Sequence, residues 1–97
     1  MITLSTIHTK PSPDIEYNRP DPNYIAYREI TYFNAVANVK MTVTPIDATS
    51  RMIVTTFPDE VTYNTYISDP HVIRALIARD IHNAKFGIIT DTTITTS

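Results

Sequence analysis

The segment SDPHVIRALIARDIHNAKFGI, residues 68–88, carries three side chains with chemical potential, His71, Asp80 and His82, set among aliphatic residues. At helical spacing Val72, Ile73, Leu76, Ile77, Ile81 and Ala84 form one stripe, and Asp80 falls in its middle. A carboxylate in such a stripe loses hydration, which disfavours its charged form and raises its pKa toward that of a general base. The same carboxylate can instead pair with Arg28 or Arg51, because a buried acid needs partners, or can face a neighbouring subunit. Asp80 is the one catalytic candidate of the chain, with a structural role as its alternative.

Metal and nucleophile chemistries find less support. His71 and His82 fall on one side of the wheel but eleven residues apart, about 16 Å along a helix, so they cannot share an ion. Helical zinc sites place two histidines four residues apart, and the third histidine, His8, lies on a different element. Ser68, Asp69 and His71 are sequence neighbours, but triads are assembled in space, and no G-x-S-x-G elbow is present. Ser68 and Asp69 read better as helix-capping residues. The chain has no cysteine, which removes thiolate nucleophiles and zinc-thiolate or iron–sulfur sites, and its single glycine, Gly87, leaves no phosphate-cradling loop. No metal or cofactor is expected.

Six tyrosines are the clearest interaction signal, since tyrosine combines rigid contact area with a hydroxyl. Tyr17, Tyr24 and Tyr27 lie in or beside a proline-rich stretch, while His71 and His82 border a small-residue surface at Ala75 and Ala78. These five residues are the expected contacts to a protein partner, with cover of the chain's own thin core as the plainer explanation for the tyrosines. Eight basic against ten acidic residues leave a net charge of −2, which argues against nucleic acid as a partner. No apolar run is long enough to span a bilayer, and MITLSTIHTK has no basic region followed by an apolar block, so neither membrane insertion nor a secretory signal is expected.

The elements that must hold these residues follow from pattern and punctuation. Ninety-seven residues suit one domain, 1–97, with a thin core. Sixteen threonines against one glycine favour extended backbone. Residues 2–8 alternate as a short strand. Residues 9–24 hold four of the seven prolines and read as an extended arm. From Tyr27 to Ile46 alternation is sustained, with Phe33, Val39, Met41 and Val43 on one side and Asn34, Asn38, Lys40 and Thr42 on the other. That predicts a strand broken near residues 34–38, in preference to a helix opened by Asp21 and Pro22. A turn at 45–50, a strand at 51–57, a short helix at 58–67, a main helix from Pro70 to Gly87 and a threonine-rich closing strand complete the order.

The expected fold is α+β: a small antiparallel sheet of about four strands, a helix pair from the C-terminal half on one face, and the proline-rich N-terminal arm. The second half reads strand–helix–strand, but no helix is expected between the first two strands. This build favours a non-enzymatic structural or assembly subunit, a virion or similar particle component, whose arm and sheet edge engage other subunits or copies of itself. The competing expectation is a small ligand-binding or enzymatic α+β domain with Asp80 in a pocket between helix and sheet.

Overall fold

A computed structural model describes residues 1–97. Strand β1 (Ile2–Thr9), helix α1 (Pro22–Thr31), strands β2 (Lys40–Pro45) and β3 (Ser50–Phe57), helices α2 (Glu60–Ser68) and α3 (Pro70–Phe86) and strand β4 (Ile89–Thr96) follow in that order. They form an α+β fold with one four-stranded sheet in the order β2-β3-β1-β4, every neighbouring pair antiparallel. No helix is long and apolar enough to cross a membrane.

Helix α1 corrects the reading of residues 27–46 as one broken strand. Asp21 caps it by accepting from the Asn23 amide at 2.7 Å, with Pro22 in its first turn. No residue of α1 is fully buried and Ile30 stays 78% exposed; an accidental alternation that runs on through the turn after the helix outweighs its start signal. The expected break does occur. Asn34 accepts from the amides of Val36 and Ala37, and Asn38 adopts φ 55°, the left-handed region that asparagine tolerates. True alternation begins only with β2.

The remaining elements follow their local chemistry. Asp47 accepts from the Thr49 amide and organises the β2–β3 turn. Asp59 caps α2 by accepting from the Thr62 amide. Asp69 caps α3, and Gly87 ends it at φ 71°, a conformation in which other side chains are strained.

The helix-facing side of the sheet is filled unevenly. Ile2 and Phe57 pair at one end, where Tyr32, Val39, Tyr66 and Val72 complete a buried cluster. Phe57 meets Tyr63 and Tyr66 edge-on, with ring centroids 5.2 and 5.1 Å away, a favoured aromatic geometry. Along the same strands Leu4 pairs with Thr55, Thr6 with Ile53 and His8 with Arg51. Leu4 still packs against the buried cluster, but over these three rows the helices stand off and leave a cavity.

Residues 10–21, the irregular part of the proline-rich stretch, run back over their own chain. The Lys10 amide donates to the Thr49 carbonyl at 2.7 Å, and His82 Nε2 meets the Glu16 carbonyl at 2.9 Å. Tyr17 lies beneath the Arg51 guanidinium at 4.0 Å. This segment is a strap across one end of the molecule, while residues 22–24 of the expected arm belong to α1.

Candidate functional site

The cavity has a volume of about 250 Å³ and lies between the sheet and the three helices. Alternation along β1 points Leu4, Thr6 and His8 into it, and β3 contributes Arg51, Ile53 and Thr55 from the paired positions. Met41 and Val43 of β2 form one wall, Tyr24, Ile25 and Arg28 of α1 another, and Tyr66, Leu76 and Arg79 close it from α2 and α3. The strap supplies Asn18 and Pro20. Apolar surface with a few polar groups is the make-up of a small-molecule site.

Its electrostatics run against the chain as a whole. The protein is net negative, yet three of its five arginines, Arg28, Arg51 and Arg79, line this cavity and no carboxylate does. Arg28 and Arg51 have no salt bridge, and Arg79 reaches only Asp80, at 3.4 Å on the outer surface. Arg28 lies over the rings of Tyr24 and Phe33, at 5.3 and 5.0 Å, so aromatic faces and not acids hold it.

His8 is 1% exposed and sits at the cationic end of the cavity. Arg51 Nε donates to His8 Nδ1 at 3.4 Å, which places the imidazole proton on Nε2. Burial, together with the Arg51 and Arg79 charges and against the pull of Asp80, lowers the His8 pKa to about 4. The ring is therefore neutral at pH 7, and its Nε2–H is a hydrogen-bond donor. That donor has no partner in the chain, and neither do the buried Nε atoms of Arg28 and Arg79. The three buried side-chain polar atoms without a partner thus belong to residues around one cavity, and all three are donors. Burial also pushes the Tyr24 hydroxyl well up, aided by neighbouring Tyr66, so it too keeps its proton.

A second depression, a groove of about 540 Å³, lies outside the cavity between residues 18–27 and α3. Asn18, Pro20, Tyr24 and Ala75 belong to both. Arg19, Arg74, Tyr27 and His71 line the groove alone. At its rim Asp69, 8% exposed, accepts from the Tyr27 and Tyr32 hydroxyls, each at 2.6 Å, and from the His71 amide at 2.8 Å. Burial would raise the Asp69 pKa, but these donors outweigh it and hold the carboxyl well below the usual range. Tyr27 and His71 stack at 4.2 Å, so this cluster rigidly joins α1 to the start of α3.

The helix-facing side of the sheet and its three helices identify the fold. The chain has the ferredoxin-like strand order, β-α-β-β-α-β with α2 and α3 together in the second helical position. It superposes on a point variant of SnoaB, a cofactor-independent oxygenase from Streptomyces nogalater, with a TM-score of 0.59 and 9% identity over 99% of this chain and 91% of that one. It also superposes on a candidate antibiotic biosynthesis monooxygenase from Deinococcus radiodurans, with a TM-score of 0.54 and 8% identity over 100% of this chain and 92% of that one. No family model and no curated protein sequence matches the chain. The likeness is one of fold. It overturns the expectation of a non-enzymatic assembly subunit or virion component, because the structures that share this architecture are described as oxygenase and monooxygenase proteins.

The structure disperses the residues singled out from sequence. Asp80 does not floor the cavity: its side chain is 65% exposed and meets only Arg79. The inward face of α3 runs through Val72, Ala75, Arg79 and Asn83, rotated away from the predicted stripe, which leaves Ile73, Ile77 and Ile81 at 41, 52 and 64% exposure. Tyr24, Tyr27 and His71 come together along the groove. Tyr17 supports Arg51, and His82 fastens the strap. Sequence reasoning sets His8 aside as a metal ligand, misses Arg79, and brings in Arg28 and Arg51 only as partners for Asp80. A signal for two of them exists: His8 shares the strand parity of Ile2 and Leu4, and Arg51 that of Ile53 and Phe57, so both are polar groups on a core-facing register.

Proposed function

We propose that this chain is a small-molecule enzyme domain whose cavity holds a compact, largely flat organic molecule that carries or develops an oxyanion: a phenolate, an enolate or a carboxylate. The observation that carries the reading is that three buried donors without a partner, His8 Nε2, Arg28 Nε and Arg79 Nε, all belong to residues that line one cavity with no acid in its wall. Donors fixed before the ligand arrives, in a site shielded from water, stabilise negative charge more than water does. Leu4, Met41, Ile53 and Leu76 supply the apolar contacts for the rest of the molecule.

The wall offers no general base. It lacks carboxylates, and the His8 nitrogen that could accept a proton is occupied by Arg51. The substrate is accordingly one acidic enough to ionise near neutral pH once its oxyanion is stabilised. By analogy of fold with SnoaB, the electron-rich anion then reacts with dioxygen. One oxygen atom enters the product and the other leaves as water, with the four electrons drawn from the substrate itself.

Calorimetric titration tests the binding step with 1-naphthoate against its neutral isostere 1-naphthalenemethanol. The acid is expected to bind at least tenfold more tightly, and Arg51→Met to remove most of the preference. Equal binding of the two would sink the reading. Oxygen uptake with enolisable phenolic ketones then tests the oxygenase step.

A further inference from the structure

We propose that the groove between residues 18–27 and α3 is a second subsite for the same ligand, so that the substrate is elongated, with its acidic head in the cavity and an anionic tail lying outward along the groove. This rests on the reading of the cavity just given and adds the shape and charge of the rest of the molecule. Two observations carry it.

The first is adjacency. Asn18, Pro20, Tyr24 and Ala75 form wall for both the cavity and the groove. A molecule that fills about 250 Å³ on one side of that shared wall has about 540 Å³ available on the other. The shared wall consists of two strap residues, one tyrosine and one alanine. Ala75, on the inward face of α3, is the smallest of the four side chains in that partition.

The second is charge. The groove is lined by Arg19 and Arg74, while the one acid in its lining, Asp21, is engaged as the cap of α1 and Asp69 at its rim by Tyr27, Tyr32 and His71. Arg74 touches only the Pro70 carbonyl, through Nε at 3.4 Å, which leaves its outer guanidinium nitrogens free. Arg19 meets Glu16 at 3.9 Å between two largely exposed side chains, a pair weak enough for a bound anion to displace. His71 is held by Asp69 and the Tyr27 ring and so presents a fixed aromatic edge. Two guanidiniums beside a rigid aromatic rim suit a carboxylate or phosphate on a short chain.

The test uses the full chain and two probes: 1-naphthoate, and 1-naphthoate extended by a six-atom chain ending in a carboxylate. In the native protein the extended probe is expected to bind about tenfold more tightly than the head alone. In the Arg19→Ala, Arg74→Ala double variant that ratio is expected to fall to about one, and with Arg74→Glu to fall below one. An extension that adds no affinity in the native protein, or an advantage that survives in the double variant, overturns the second subsite while leaving the cavity reading in place. Failure of 1-naphthoate itself to bind overturns both. A tail ending in a hydroxyl gives the remaining comparison: if it gains as much as the carboxylate, an anionic tail is the wrong chemistry and the proposal falls.

Discussion

At one end of the helix-facing side of the sheet, Ile2 and Phe57 sit opposite each other and are sealed by Tyr66 and Val72; six residues further along the same two strands, His8 and Arg51 occupy the corresponding positions and line a cavity. Both pairs are on the same parity and both sit beneath helices. The first pair is held by dispersion and edge-on aromatic contacts, the second by one long hydrogen bond and by Tyr17 under the guanidinium. A chain with 12 buried residues has concentrated its packing at one end and left donors without acceptors at the other. Stability and binding are thus assigned to different ends of one surface, as expected where a site carries groups that folding alone does not satisfy.

The largest effect should come from the packed end. Phe57 is fully buried at 0% exposure, and Phe57→Ala removes an aromatic that three partners grip, at a cost of about 3–5 kcal/mol. Ile53→Ala, on the cavity wall, deletes a side chain that already borders space and should cost about 1–2 kcal/mol. Urea denaturation of both variants measures the difference. Equal costs would mean that the cavity is supported as tightly as the core, and the contrast between the ends would fail.

The second effect is a pH dependence confined to the hollow end. Unfolded, His8 takes a proton near pH 6.5; folded, burial and its arginine neighbours delay that to about pH 4. Between those values the unfolded chain binds the extra proton, so stability is full above pH 6.5 and declines as pH falls to 4, by up to about 3 kcal/mol. Asp69, whose carboxyl is held below its ordinary value, adds its own loss only in more acid solution. Denaturation curves at half-unit pH steps should show the slope in the native chain and a flat line over the same window in His8→Gln. A slope that persists in the variant would relocate the titrating group.

Arg51→Met should act far more on binding than on folding. It removes a half-buried cation that has no acid partner, which favours the fold, but also the hydrogen bond to His8 Nδ1 and the contact with the Tyr17 ring, which offset that gain. A change of less than about 1 kcal/mol is expected in urea, together with loss of the preference for 1-naphthoate over its neutral isostere. A larger loss of stability would show that Arg51 is part of the scaffold, and that the hollow end is less specialised than it looks.

How much of this was legible in the sequence depends on how local the signal is. Caps and stops were: Asp69, Pro70 and Gly87 bound α3, and β1, β3, β4 and the two later helices lie close to their expected limits, whereas β2 keeps only the last part of its expected span. Helix α1 was not, because its start signal at Asp21 and Pro22 is outweighed by an alternation that belongs partly to the turn after it. The cavity was not legible either, since it arises where three helices fail to fill the space over the sheet. Only the parity of His8 and Arg51 pointed to it. The strap was visible as a proline-rich segment, but its destination was set by contacts to Thr49, Arg51 and His82, none of which a local rule identifies.

Asp80 gives the smallest expected effect and the sharpest separation of the two expectations raised by the sequence. Its carboxylate is 65% exposed and bonded only to Arg79, a neighbour whose Nε faces no partner. An exposed pair of this kind contributes little, so Asp80→Asn should change stability by less than about 0.5 kcal/mol. Its influence on binding should nevertheless be favourable. Asp80 draws the Arg79 guanidinium toward the outer surface, and its negative charge opposes the cations around His8. Removing that charge frees Arg79 for an oxyanion in the cavity, and 1-naphthoate should bind about twofold more tightly, a few tenths of a kcal/mol. A catalytic or ligand-holding acid would give the reverse. If Asp80→Asn instead weakens the acid tenfold at unchanged stability, the carboxylate reaches the ligand after all, and the donors at the hollow end are not sufficient to explain what it binds.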